Sequence, residues 1–262
     1  MIDSHCHLNF DSLRDDFPNI ILRAKKNNIT SILSINTHPK DFNAHLDLID
    51  KYKGIYISYG MHPEEIKQDS KFSLDSVFKF CKNSKVIGLG ETGLDFYHSI
   101  EFKQKQYEIF EKHIEASIIT SLPLIIHQRN SETEIMKILT KYQKKHNLSV
   151  VFHCFTGSKK LLHFCLENDY YISLSGIVTF KNAYQLRDVI KDVSLNHLLI
   201  ETDSPFLAPT PLRGRPNEPS FIKYTAEYLS NFFSIPYQNF INLTDNNFYK
   251  LFSKAKRYND FE

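Results

Sequence analysis

The sequence predicts an α/β fold, a single (β/α)8 barrel of the TIM type that spans residues 1–262 as one domain. Short runs rich in Ile, Val, Leu and Tyr lack the polar–apolar alternation of a half-exposed sheet, which indicates parallel strands buried on both faces. These runs alternate with longer amphipathic stretches, as in βα repeats. A chain of 262 residues suits a one-domain barrel. A doubly wound open sheet, which has the same alternation, is the alternative.

Eight strands are predicted in chain order, each four or five residues long. They share a high content of branched and aromatic side chains, which favour strands. Their predicted bounds are 1–4, 31–35, 55–59, 86–90, 124–127, 150–153, 171–174 and 198–201.

Helical periodicity fills the segments between these strands. The clearest case is 102–121, where Ile109, Phe110 and His113 belong to a face that recurs every three or four residues. Pro123 ends this helix and leads into the fifth strand. The Pro-rich stretch 204–211 is predicted to be a loop after the eighth strand rather than a domain boundary. Helices over about 220–233 and 238–253 complete the chain.

Composition limits the binding partners and the cellular compartment expected for the protein. Apolar residues make up 42% of the chain, enough for a sizeable core, and the net charge of +2 gives no field that would bind nucleic acid over the whole molecule. Asp3 and His5 interrupt any signal peptide, and no apolar run is long enough for a bilayer. We therefore expect a cytoplasmic protein without membrane association, and a monomer is compatible with the sequence. Its four cysteines, expected to be reduced, are Cys6, Cys81, Cys154 and Cys165.

The first strand leads into a His-x-His pair. Residues two apart on a strand share a face, so His5 and His7 can bind the same metal ion while Cys6 points away. Such a pair alone is a weak signal, because a core or surface pair of histidines is about as common.

Further ligand-type residues lie at or just beyond the ends of later strands, and a barrel brings these ends to one rim. Taken singly, a buried histidine is more often a hydrogen-bonded core residue than a ligand, and an aspartate before Pro205 is an ordinary turn residue. The joint pattern favours a metal site. The six candidate ligands are His5, His7, Glu91, His127, His153 and Asp203.

This set predicts two divalent metal ions. Imidazole and carboxylate suit zinc, manganese, nickel or iron, and a site richer in carboxylate and water admits magnesium. Six ligands exceed the needs of one tetrahedral ion but suit two ions that share a carboxylate. Glu91 is the predicted bridge, because the fourth strand lies between the His5/His7 side and the His127/His153 side. Glu91 and Asp203 are thus the predicted catalytic carboxylates.

Four other polar residues are second-rank candidates. His62 either contacts substrate or caps the turn at Pro63, and Arg129 suits a phosphate. Glu201 shares a strand face with Asp203 and can orient a ligand imidazole from behind, and Asp95 can do the same.

Several segments together resemble the TatD family of metal-dependent deoxyribonucleases. The resemblance implies a barrel with two divalent ions, one held by His5, His7, Glu91 and Asp203, the other by Glu91, His127 and His153. The matching segments are Asp3-Ser4-His5-Cys6-His7-Leu8, Gly60-Met61-His62-Pro63, Gly90-Glu91-Thr92-Gly93-Leu94-Asp95, His153-Cys154-Phe155-Thr156-Gly157-Ser158, Glu201-Thr202-Asp203-Ser204-Pro205 and Arg213-Gly214-Arg215-Pro216-Asn217-Glu218-Pro219.

One segment departs from the family pattern. After the histidine of the fifth strand the family more often has Cys or Ser, then Arg and an acidic residue, whereas this chain has Gln128, Arg129 and Asn130. The candidate ligand His127 is retained, so the departure concerns substrate contacts only.

The first functional hypothesis is metal-dependent hydrolysis of DNA, exonucleolytic rather than internal. Asp203 is the candidate general base, and Arg129, Arg213 and Arg215 are candidates to bind phosphate. The segment 213–219 is otherwise an ordinary solvated loop. Because the net charge is near zero, a strand end or short single strand suits the protein better than a long polyanion.

Two other hypotheses are weighed. A small-molecule amide, lactone or ester hydrolase would use the same barrel, but relatives with that chemistry often bridge their metals with a modified lysine after strand four, where this chain has Glu91. A non-catalytic binding protein would have lost ligands, and none of the six is missing.

Overall fold

Eight parallel strands pair in chain order in the computed structural model, which describes residues 1–98, 100–258 and 261. The predicted extent 1–262 includes Ser99, Asn259, Asp260 and Glu262, which lie outside the described residues. The strands are β1 (Ile2–Cys6), β2 (Ser31–Ser34), β3 (Ile55–Tyr59), β4 (Val86–Asp95), β5 (Leu124–Arg129), β6 (Val150–Phe152), β7 (Tyr171–Leu174) and β8 (Leu198–Ile200).

Backbone hydrogen bonds join the chain after β8 to β1. The Asp203 N–H donates to the carbonyl oxygen of His5 at 2.9 Å, and the His7 N–H donates to that of Ser204 at 2.8 Å. The sheet is therefore a nearly closed barrel, which confirms the predicted (β/α)8 fold. The alternative of an open sheet is wrong.

Helices follow the strands and surround the barrel. They are α1 (Asp11–Arg14), α2 (Phe17–Lys26), α3 (Phe42–Ile49), α4 (Leu74–Phe80), α5 (Lys103–Thr120), α6 (Glu132–Gln143), α7 (Lys159–Glu167), α8 (Tyr184–Ile190), α9 (Ile222–Phe232) and α10 (Tyr237–Leu251). Short 3-10 helices lie at Pro39–Asp41, Pro63–Glu65, Gly176–Thr179, Leu195–His197 and Pro219–Phe221.

Strands β4 and β5 run further than predicted, to Asp95 and Arg129 instead of residues 90 and 127. The glycines of β4 permit close pairing with β5 beyond the predicted end of the strand. A Cβ at Gly93 would lie 2.0 Å from the carbonyl oxygen of His127, and the φ of Gly93 is +135°. The pairing continues until Asp95 is opposite Arg129, so Glu91 lies inside a buried strand instead of at a strand end.

The barrel interior has its own apolar cluster at the end away from the ligand-type residues. Ile125 and Val151 belong to it, and residues two further along their strands are His127 and His153. The period of two therefore puts both histidines on the inner face. Phe248 and Leu251 of α10 pack against the cluster and close this end of the barrel.

Helix α5 anchors two loops of the opposite end. The Gln106 side chain accepts from the Asp95 N–H at 2.9 Å and donates to the Asp95 carbonyl oxygen at 3.1 Å. His113 hydrogen-bonds the Ile109 carbonyl oxygen through Nδ1, so its Nε2 is free to accept from the Met61 N–H at 3.2 Å. These buried contacts hold the end of β4 and the turn that carries His62.

All four cysteines are free, with Cys6 and Cys165 buried. Among the helices that the structure describes, none has the length and apolarity needed to cross a membrane.

We predict that His113→Phe lowers the free energy of unfolding at pH 7 by roughly 1–3 kcal/mol, because the buried Met61 N–H loses its acceptor. Burial lowers the pKa of His113 from 6.5 to about 3. The stabilisation from neutral His113 is thus complete above about pH 6.5 and is lost as the pH falls toward 3, because only the unfolded chain takes up the proton there. Urea unfolding at pH 7 and pH 5 should show the gap between wild type and variant narrowing at pH 5. A gap that does not change with pH would mean that His113 titrates normally in the folded protein.

Candidate metal centre

A cavity of about 490 Å³ opens at the carboxyl ends of the strands, the face on which barrel enzymes carry their active sites. His5 is buried beside this cavity, with 1% of its surface exposed. The structure therefore brings together all six candidate ligands. The five that line the cavity wall are His7, Glu91, His127, His153 and Asp203.

Glu91 lies at the centre of the group, and its two carboxylate oxygens face different histidines. Oε2 is 3.3 Å from Nε2 of His5 and 3.9 Å from Nε2 of His7. Oε1 is 2.6 Å from Nε2 of His153 and 3.1 Å from Nδ1 of His127. A carboxylate shared between two metal ions needs this division of its oxygens.

Asp203 faces the same histidines as one oxygen of Glu91. Its Oδ1 is 3.4 Å from Nε2 of His7 and 3.7 Å from Nε2 of His5. The φ of Asp203 is +54°, a left-handed backbone that aspartate tolerates better than most residues. One side of the cluster thus consists of two imidazoles between two carboxylates.

His127 lies between Glu91 and Asp95. Its Nε2 is 2.9 Å from Oδ2 of Asp95, while its Nδ1 faces Glu91. Asp95 also accepts hydrogen bonds from the N–H groups of Tyr97 and His98, so its carboxylate is fixed. A carboxylate on one ring nitrogen sets the tautomer and leaves the other nitrogen available to a metal.

Glu201 lies behind His153 in a similar way, at a longer distance. Its Oε1 is 3.5 Å from Nδ1 of His153 and accepts from the Cys154 N–H at 2.7 Å. Its Oε2 accepts from the Ser173 hydroxyl. The two carboxylates predicted to orient ligand imidazoles, Asp95 and Glu201, are thus each adjacent to one.

Buried ring nitrogens that make no hydrogen bond, some of them beside a carboxylate, fit a site for a cation. Within the described residues, both ring nitrogens of His5 and Nδ1 of His7 and His153 are buried without a hydrogen-bond partner. Buried polar groups are rarely left so. Three sets of side chains each bring their ligand atoms within 4.8 Å of one another: His5/His7/Asp203, His5/Glu91/His153 and His62/Glu91/His127. Imidazole with carboxylate is a suitable donor set for divalent transition metals.

Charge coupling in the cluster points the same way. Burial disfavours the carboxylate form of Glu91, but the charge of His153 and hydrogen bonds from His127 and His153 outweigh it and hold the pKa of Glu91 well below its usual range. Burial also opposes protonation of His153, yet Glu91 and Glu201 raise its pKa well above the usual value. Burial and the nearby His153 lower the pKa of His5. The carboxylates therefore stay charged and attract positive charge.

His62 belongs to this cluster, a contact that the sequence analysis missed. Its Nδ1 accepts from the Glu64 N–H at 3.2 Å and so caps the helix Pro63–Glu65. A backbone N–H can only donate, so Nδ1 carries no proton and the proton of the neutral ring is on Nε2. That Nε2 is 3.1 Å from Oε1 of Glu91, in the cavity wall. His62 is thus a hydrogen-bond donor there; its contact with substrate stays a prediction.

The three arginines predicted to bind phosphate lie in different surroundings. Arg129 lines the cavity, and its guanidinium carbon is 5.1 Å from the centroid of the Tyr97 ring. Arg213 instead stacks over Phe180 at 3.6 Å and donates to the Ala208 carbonyl oxygen, and Arg215 is exposed. Neither Arg213 nor Arg215 lines the cavity, so the geometry supports a substrate contact for Arg129 alone of the three.

Asp3 is a buried carboxylate that the sequence analysis did not single out. It accepts from the N–H and the hydroxyl of Thr202 at 2.9 and 2.6 Å, and burial raises its pKa to about 8. These bonds fix the segment that carries Asp203 against β1. Its position two residues before His5, on the same strand face, was the available signal.

Comparisons with known proteins agree with this site. The model of the family described as TatD related DNase matches residues 2–253. The uncharacterized metal-dependent hydrolase YcfH of Escherichia coli strain K12 is 34% identical over 255 residues, which cover 96% of this chain and 95% of that protein. The uncharacterized metal-dependent hydrolase YabD of Bacillus subtilis strain 168 is 33% identical over 252 residues, covering 96% and 98%.

Solved structures give the same result. YJJV, a TatD homologue from Escherichia coli K12, superposes with a TM-score of 0.89 at 27% identity, covering 97% of this chain and 98% of that one. A TatD family hydrolase from Entamoeba histolytica gives 0.84 at 22% identity, covering 96% and 97%. The second likeness bears on the fold alone.

We predict that Asp95→Asn lowers the affinity for divalent metal by roughly 10- to 100-fold, because the carboxylate that orients His127 loses its charge. Calorimetric titration of the metal-free protein measures this. Asp47→Asn, at an exposed position of α3, is the matched control and should bind as wild type does. Equal affinities of the Asp95 variant and wild type would mean that Asp95 does not prepare His127 for metal.

Proposed function

The chain belongs to the TatD family and is a metal-dependent hydrolase, and we propose that its substrate is DNA, cleaved at phosphodiester bonds near strand ends or in short single strands. The observation that carries the proposal is the buried Glu91, whose two oxygens face different sets of histidines. Centres of this kind serve phosphodiester hydrolysis in nucleases and amide hydrolysis in aminopeptidases. The family description, TatD related DNase, favours the phosphodiester.

We propose two divalent ions as cofactors. His5, His7, Glu91 and Asp203 would hold one, and Glu91, His127 and His153 the other. When bound, such ions polarise the scissile phosphate and lower the pKa of the attacking water.

Asp203 is the proposed general base. Its carboxylate lines the cavity, and although burial favours the neutral form, His7 and His5 outweigh it and lower the pKa of Asp203. It is therefore ionised at neutral pH and can accept the proton of the attacking water.

One donor on the cavity wall suits the phosphate. The guanidinium of Arg129 lines the cavity beside the Tyr97 ring and forms no ion pair among residues 1–98, 100–258 and 261. The Nε2–H of His62 faces Glu91 at 3.1 Å, so His62 would contact the phosphate only by exchanging that partner. Guanidinium matches phosphate oxygens in a bidentate fork. The net charge of +2 adds no wide polyanion surface, which favours a strand end over a long duplex.

End-labelled single-stranded DNA tests the proposal. Metal-free protein is reloaded with Mg²⁺, Mn²⁺ or Zn²⁺ separately, and nucleotide release is followed from each labelled end beside a panel of esters and lactones. We expect metal-dependent release of nucleotides from DNA. Hydrolysis of the small esters or lactones without DNA cleavage, under every metal, would favour the small-molecule alternative.

We predict that Asp203→Asn lowers turnover of DNA by about 100- to 10,000-fold while a metal still binds, since the amide keeps an oxygen ligand but cannot act as base. His127→Ala should instead weaken one metal, so that excess metal partly restores its activity. Metal content and single-turnover rates are measured together for both variants. Near wild-type turnover of the Asp203 variant with metals bound would exclude Asp203 as the base.

We predict that Arg129→Ala raises the Michaelis constant for DNA about tenfold, the effect of losing one charge-assisted contact of roughly 1.5 kcal/mol. Arg213→Ala is the comparison, and its effect should be smaller because its guanidinium is engaged by Phe180 and Ala208. Steady-state kinetics on one oligonucleotide measures both. A larger effect at Arg213 would reverse the assignment.

A further inference from the structure

A second cleft of about 840 Å³ adjoins the cavity that contains the candidate metal ligands, which we call the metal cavity. It lies against α1 and α3 and beside the chain that follows β8. Phe10 and Phe206 line both the cleft and the metal cavity, so their rings stand between the two spaces. A ligand bound at the metal centre can therefore extend past these rings into the cleft.

Phe206 presents its ring to solvent from a fixed backbone. The residue is 51% exposed, and its ring meets that of Phe10 edge to face with centroids 5.8 Å apart. Its N–H donates to the Asp203 carbonyl oxygen at 3.0 Å, and its own carbonyl oxygen accepts from the Asn217 side chain at 2.6 Å. A large apolar surface is thus held open three residues after the proposed general base, although burial would stabilise it.

The cleft also contains buried polar atoms that lack partners. Oδ1 of Asn9 and Nδ1 of His45 are both buried without a hydrogen bond, and both residues line the cleft. The Asn9 oxygen can only accept, so a ligand with an N–H donor would satisfy it once the Asn9 side chain turns toward the cleft. Nucleobases carry amino and ring N–H donors at their edges.

Charge argues against a phosphate in this cleft. Exposed carboxylates of Asp11 and Asp41 line it, while the one arginine in its lining, Arg14, is paired with Asp11 at 2.8 Å and with Asp15 at 3.6 Å. A polyanion backbone would be repelled, whereas a neutral, flat, hydrogen-bonding group would not.

We propose that this cleft is a nucleobase subsite, in which the base next to the scissile phosphate stacks on Phe206 and hydrogen-bonds in the cleft. The inference rests on the proposed function, since it presumes a nucleic-acid substrate. An unpaired base can leave its strand to stack on the ring, whereas a base in a duplex cannot without unpairing. The subsite therefore selects single-stranded ends.

The test combines the Phe206→Ala variant with removal of a base from the substrate, so that each enzyme is measured on each substrate. Two single-stranded oligonucleotides are compared, one complete and one with an abasic nucleotide at the end that the enzyme attacks. In the wild type the abasic strand should have a Michaelis constant roughly tenfold or more above that of the complete strand, the usual effect of one stacked base. In Phe206→Ala this ratio should fall close to one.

Two further variants guard against indirect effects. Phe206→Leu keeps an apolar side chain without a ring face and should show a reduced ratio. Tyr184→Ala removes an aromatic side chain that is 66% exposed on α8, and it should keep the wild-type ratio. If Phe206→Ala keeps the full dependence on the base, or if the wild type shows none, the subsite proposal is overturned.

Failure of the proposed function gives a different result. If the wild type releases no nucleotide from any DNA, equilibrium dialysis compares deoxyadenosine 5′-monophosphate with deoxyribose 5-phosphate. Tighter binding of the nucleotide that is lost in Phe206→Ala would support a base subsite in an enzyme of another activity. Equal binding of the two probes would overturn the subsite.

Discussion

The structure depends on one buried carboxylate that must reach two sets of imidazoles. Glu91 is 2% exposed within the longest strand of the barrel. Such a charge would be costly to bury alone, and the surrounding histidines compensate it. Its place requires close pairing of β4 with its neighbour, which Gly90 and Gly93 permit because a Cβ at either would meet backbone oxygen within 2.5 Å. The glycines flanking Glu91 are therefore part of the site.

The alternation of short buried strands with helical stretches was enough to predict the fold, and the closure of a barrel together with the period-two spacing of His5 and His7 was enough to predict the convergence of six side chains. His5 with His7, and Asp203 after β8, could be assigned to one rim because every parallel strand ends there. The extent of β4 could not be predicted. Glycine in a sequence indicates a break, and only the approach of β5, whose His127 carbonyl lies against Gly93, shows that these glycines continue the strand.

Contacts made by loops were beyond sequence reasoning for a different reason. Arg129 and Arg213 are alike as residues, yet Arg129 at the end of β5 lines the cavity, whereas Arg213 stacks on Phe180, because tertiary contacts set the position of the loop that carries Arg213. The role of His62 depends on which ring nitrogen is protonated, and the Glu64 N–H decides it. Phe206 lies in the stretch 204–211 that was predicted to be a loop, but the exposure of its ring beside the cavity is visible only in the fold.

The two adjoining cavities divide the surface by charge in a way that bears on substrate choice. The metal cavity contains buried carboxylates that require cations. Cations bound there would attract an anionic phosphate. The neighbouring cleft has exposed Asp11 and Asp41 and repels the same phosphate. A long, uniformly charged duplex would have to satisfy both environments at once. A strand end would not have to do so, since its phosphate and its base are chemically distinct. The phosphate can lie in the metal cavity while the base lies in the cleft on the other side of the Phe206 ring. With the proposed DNA substrate, a net charge of +2 is sufficient, because attraction is needed at the reacting phosphate and nowhere along the strand beyond it.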